Sequence, residues 1–223
     1  MDMREITIVP YSSDLWRIEG GDFSGVMRRA SRMDFLKAAE VRFDAAQAIL
    51  EAVGDDEVLL DWSDANTRAA LEVLYASGAD HLGIGETDMA VALWEMLLAM
   101  DEEDHLSVSI PLAIAYIEIE DYDCLEEVLF NISSKSPEYY LVQLWAEYRR
   151  TGGVDRDSLR MLRTRHKVWF EEILASEHPS DEAFWEDSRR ERPSPATEAR
   201  ELWFATESVW ERNRDFLDAI NKA

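Results

Sequence analysis

The fold turns on GIGETDMAVALWEMLLAMDEED, residues 83–104. A glycine pair ahead of a helix is either a phosphate cradle or the bend of a helical hairpin. A cradle of the P-loop type needs backbone amides together with a lysine and a serine or threonine at the helix start. Here Gly85 is followed by Glu86, Thr87 and Asp88, which puts two carboxylates where the anion would sit. Between residues 61 and 138 the only bases are Arg68 and Lys135. The glycines therefore read as a bend, and the acids as favourable charge at a helix N-terminus. In residues 89–100 Glu95 is the only charge, and a helix apolar almost all round is expected to be buried on more than one side. Helical neighbours before and after it are the expectation.

Outward from that segment the apolar spacing stays helical from Ser31 onward, and glycine and proline are scarce, at nine and six. Phe35–Val53 reads as one helix ended by Gly54 and the polar Asp55 and Asp56. Ser63 is the expected N-cap of the next, which runs to about Leu82. EITIVPY and EVLLDW could be short strands, each without an evident pairing partner. Residues 1–30, broken by Gly20 and Gly21, are expected to be an irregular lead-in to a single helical array over 31–223. After DEED come SIPLAIAYIEI and DYDCLEEVLFNI, then EYYLVQLWAEYRR from Pro137, a Gly152-Gly153 break, and DSLRMLRTRHKVWFEEIL. In the tail, Ser180 should cap a short helix, and Ser194 with Pro195 should open another. Leu202, Ala205, Val209, Phe216 and Ile220 would form one apolar face of it. Residues 180–223 fit a terminal cap with one polar face, or a helix that binds a partner.

The net charge of −24 is uneven. Residues 1–60 carry 12 acids and 7 bases, residues 61–138 carry 18 and 2, and residues 139–223 carry 17 and 14. Such a field repels nucleic acid and anionic membranes and steers a basic partner inward; solubility alone is the plainer account. A single cysteine, Cys124, rules out an internal disulfide and fits a reducing compartment. No secretory signal or membrane-spanning run is evident, so a soluble cytoplasmic protein is expected.

Gly85 and Glu120 occupy the same place in two successive hairpins, 35 residues apart. Periods near 34 residues built from two helices resemble tetratricopeptide repeats. Residues 71–104 resemble that motif through Leu74, Ser77, Gly78, His81, Ala90 and Trp94. Residues 106–138 do so through Leu112, Ala113, Tyr116, Leu125, Leu129 and Pro137. Residues 139–176 are a weaker unit, through Val142, Trp145, Ala146, Gly153, Ser158 and Leu162. Ser109 stands where tryptophan is usual, and Pro111 requires its helix to begin near Ser107 or Ser109, or to kink. The resemblance implies an all-α superhelix of hairpins. Gly78 would let two helices cross closely, and Trp94 and Leu129 would fill the space between hairpins. It also implies a groove lined by Tyr75, Leu82, Ile110, Ile114 and Ile117, although the isoleucines could equally be plain core.

Other chemistries find little support. His81, His105, His166 and His178 lie far apart without metal-ligand spacing, and DEEDH lacks the ligand alternation of a calcium loop. Adjacent carboxylates such as Glu126 and Glu127 point to different sides of a helix. No catalytic residue, metal or cofactor is assigned. Arg156, Arg160, Arg163 and Lys167 recur at helical spacing. They form a solvated face, a stripe facing acidic repeats of this chain or of a second copy, or a nucleic-acid surface. The expected role is a non-enzymatic interaction scaffold that takes a basic peptide or helix. The alternative is an acidic mimic of nucleic acid that inhibits a DNA- or RNA-binding protein.

Overall fold

A computed structural model describes residues 6–54 and 56–223. Among these residues the chain is mainly helical, with twelve α-helices and three short strands. Its contacts group into two compact units, one reaching Leu112 and the other starting at Ala113.

The first unit opens with β1 (Thr7–Pro10) and β2 (Leu15–Glu19), paired antiparallel, with β3 (Leu59–Leu60) parallel to β2. Within residues 1–30, expected to be an irregular lead-in, residues 6–30 therefore hold a strand hairpin followed by helix α1 (Phe23–Ala30), and residues 1–5 lie outside the described residues. The two strands that looked unpaired in sequence are bridged by a third, LWRIE, which lies between them in the sheet. Helix α3 (Ala65–Ile84) holds that middle strand. Thr67 Oγ1 accepts from the Ile18 amide at 3.0 Å, and Asn66 Nδ2 donates to the Ile18 and Gly20 carbonyls. Arg17 pairs with Asp61 at 2.7 Å across the sheet edge.

Helix α2 occupies Phe35–Val53 and stops at Gly54, whose φ of 63° suits glycine; Asp55 lies outside the described residues. The cap of α3 is Asp64 rather than Ser63, because its carboxylate accepts from the amides of Asn66 and Thr67. Ser63 instead donates its hydroxyl to Asp61. Helices α1, α2 and α3 pack on one another, and α4 (Thr87–Met100) packs along α3 and against β3. Ile18, Phe23, Ile49, Leu71, Leu74, Trp94 and Leu97 form the core of this unit.

The boundary between the units falls inside α5 (Ser109–Glu118), and Pro111 sits in its first turn, where a missing amide is harmless. The second unit continues with α6 (Tyr122–Val128), a 3-10 turn at Leu129–Asn131, and α7 (Pro137–Thr151). Ser136 caps α7 and Gly152 ends it at φ 70°. The basic segment read as one helix breaks at His166 into α8 (Arg156–Arg165) and α9 (Lys167–Ile173). Asp181, not Ser180, caps α10 (Glu182–Ser188), while Ser194 with Pro195 opens α11 (Pro195–Arg212) as expected. The tail helix breaks at Asn213, leaving α12 (Arg214–Lys222) to carry Phe216 and Ile220 into the core. There Phe216 meets Trp145 and Trp210, at ring-centroid distances of 4.8 and 5.8 Å, and the two indoles lie 5.7 Å apart. This aromatic cluster is the apolar centre of the second unit.

Candidate interaction face

The turn between α3 and α4 sets the geometry of the face. Gly85 adopts φ 85°, its amide donates to Leu82 O, and the Glu86 amide donates to His81 O. Gly83, by contrast, lies inside α3, and the ring of Phe35 fills the space its side chain would take. No anion cradle is formed: one glycine bends the chain and the other makes room.

Past the turn, Trp94 is fully buried against α3, and its indole N–H donates to Tyr75 O at 3.2 Å. A Cβ on Gly78 would fall 2.4 Å from Trp94 Nε1, so this crossing has no room even for a methyl group. Trp94 thus fills the crossing of α3 and α4 within its own hairpin. Ala90, Val91, Leu93, Leu97 and Met100 are buried with it.

The rest of α4 is open, which corrects the expectation of burial on more than one side. Met89 is 40% exposed and Met96 38% exposed, and Ala92 and Ala99 are exposed as well. Spaced three and four residues apart, these four fall on one helical stripe, the spacing of a coiled-coil seam. Over ten residues the stripe is about 15 Å long. Methionines supply adaptable, polarisable contacts, and the alanines between them leave hollows for a partner's side chains. Ile84, the last residue of α3, is exposed as well. Asp88 and Glu95, one heptad apart, run along one edge.

The acids after α4 have a different task. Asp101 accepts from the His105 amide and holds His105 Nδ1 at 2.7 Å, and that imidazole stacks on Trp62. Asp104, at φ 51°, accepts from the amides of Val108 and Ser109 at the start of α5. Burial raises the pKa of Asp104 above the usual carboxylate value, against the lowering effect of those donors. DEEDH is a structured turn whose inner carboxylates brace the backbone. Among the described residues, no group of three or more His, Cys, Asp and Glu is arranged to hold a metal ion, and no helix is long and apolar enough to cross a membrane.

The groove residues implied by the repeat resemblance are placed differently. Leu82, Ile114 and Ile117 are completely buried, so they are core, and no partner can touch them in this structure. Tyr75 and Ile110 are half-buried. The stripe on α4 was missed because hydrophobicity alone does not say whether an apolar side meets a neighbour or water. Its 3-4-3 spacing of Met, Ala, Met and Ala was the available signal. No family model, curated protein or solved structure matches the chain.

Proposed function

We propose that the protein is a non-enzymatic interaction module of tetratricopeptide-like hairpins that docks a basic amphipathic helix on the outer stripe of α4. The observation that carries this reading is the exposed Met89, Ala92, Met96 and Ala99 seam with acids along its edge. An amphipathic helix lays its apolar side into such a seam at i, i+3, i+4 and i+7 positions. Charge selects the sign of the partner. An antiparallel second copy would set Asp88 and Glu95 against themselves, and each copy carries −24. A lysine- or arginine-flanked helix instead meets complementary charge. The hairpin-repeat reading is supported by two matching helix ends. The amides of Gly85 and Glu86 bond three and five residues back, and those of Glu120 and Asp121 do the same. Cytoplasmic residence is part of the proposal and is supported by the chain's having a single cysteine, Cys124.

The test is fluorescence anisotropy with a labelled amphipathic peptide of leucine and lysine, at low and high salt. Binding that weakens with salt, and weakens at least tenfold in Met89→Asp/Met96→Asp, supports the proposal. Binding indifferent to both changes would refute it.

A further inference from the structure

Against the acidic background, residues 139–167 carry seven Lys and Arg and only three Asp and Glu. Three of these arginines line an open pocket of about 660 Å³ along one side of α8, formed with Val154, Leu159, Thr164 and Ala223. The spacing explains the convergence. Arg156, Arg160 and Arg163 follow one another by four and three residues, so their side chains emerge on a common stripe about 10 Å long. The stripe is locked at one end, because Arg163 donates through Nη2 to the carbonyls of Ile220 and Asn221 at 2.7 and 2.9 Å. Those contacts satisfy carbonyls in the last turn of α12 and hold that guanidinium in place. Below the charges, Leu159 and Leu162 are buried and anchor α8, so the basic side cannot turn inward.

The other two guanidiniums are less committed. Arg160 is exposed and its ion pair among the described residues is with Asp157, at 2.9 Å in an i, i+3 surface pair of the kind that contributes little. Arg156 is exposed and has no ion-pair partner among the described residues. Two forked donors therefore stand beside an anchored third, with half-buried Val154 at the edge of the pocket.

We infer that this α8 pocket is a second docking site, opposite in sign to the α4 stripe, and that it takes a short acidic helical segment of a partner protein. Carboxylates at i, i+4 and i+7 on a facing helix repeat at the same interval as the three arginines, and each can be gripped by a guanidinium fork. A long polyanion fits poorly. Its phosphates would extend past the stripe onto Asp155 and Asp157 and into the field of a chain of net charge −24. A second copy is disfavoured by the same net charge.

The experiment compares two labelled alanine-based helical peptides, one with glutamates at i, i+4 and i+7 and one with glutamines there. Anisotropy is read on the intact protein and on Arg156→Glu/Arg160→Glu. Both positions are exposed, and circular dichroism checks that the variant stays folded. The expected result is binding of the glutamate peptide only, weakened by about tenfold or more in the variant. Equal binding of both peptides, or binding untouched by the double substitution, would overturn the inference. So would tighter binding of a single-stranded oligonucleotide at the same salt, which would reassign the pocket to nucleic acid. Self-association that depends on these arginines without peptide binding would reassign it to a second copy.

Discussion

Single side chains decide how closely the helices of this protein approach. Trp94 occupies the space that Gly78 leaves, and its indole is both buried and hydrogen-bonded to α3. Trp94→Ala should lower the unfolding free energy by about 3–5 kcal/mol in urea titration. Glu120 makes the opposite case. It adopts φ 61°, a left-handed conformation that disfavours a side chain, at the same helix-end position where Gly85 is used. Its exposed contact with Arg149 at 3.6 Å offsets little of that strain. Glu120→Gly should therefore raise the melting temperature, by an amount matching about 0.5–1 kcal/mol. His178 gives the pH dependence. Its side chain is almost fully buried on Trp203, at a ring distance of 4.0 Å, with neither ring nitrogen in a hydrogen bond among the described residues and Glu172 3.5 Å away. Burial lowers its pKa from 6.5, Arg200 acts in the same direction, and Glu172 and Glu207 oppose them. The folded state thus prefers the neutral ring. Its contribution to stability is complete above pH 6.5 and is lost as the pH falls through the lowered folded value. His178→Phe should flatten the stability profile below pH 6.5; an unchanged slope would show that the acid sensitivity lies elsewhere.

Between elements, Arg42 on α2 forms a forked pair with Asp80 on α3, at 2.5 and 2.6 Å and largely shielded from water. Arg42→Leu should cost about 3–5 kcal/mol by leaving the carboxylate buried and alone, and Arg42→Leu/Asp80→Leu should recover most of the loss. Chemical denaturation of both variants checks this. Elements with local signals were legible in the sequence: α2 over Phe35–Val53 with its stop at Gly54, α7 from Pro137 to its stop at Gly152, and the start of α11 at Ser194 and Pro195. What depended on distant partners was not. LWRIE is five residues long, and it becomes a strand because residues 59–60 and the side chains of Asn66 and Thr67 satisfy its backbone. The breaks at His166 and Asn213 carry neither glycine nor proline, so periodicity ran through them. Burial of Ile114 and Ile117 in place of a groove floor follows from tertiary packing, which spacing does not encode. The acidic edge of α4 was legible as composition, while the open seam it borders was not.

Across the whole molecule, charge is sorted by segment of the chain. Acids concentrate in residues 61–138, where α4 exposes its methionines, and bases concentrate in residues 139–167, where α8 presents its arginines. Each proposed face is thereby matched to a partner of the other sign. The claim on which the proposed role rests is that Met89 and Met96 are the contact residues. The chain has eight methionines, and the methyl of Met100 is buried in the same helix as an internal control. The direct measurement is methyl NMR of methionine-labelled protein during titration with the leucine–lysine amphipathic peptide. The Met89 and Met96 methyl signals should shift together with peptide binding, while that of Met100 moves little. Binding that leaves both signals in place, or that shifts only methionines outside α4, would contradict that claim.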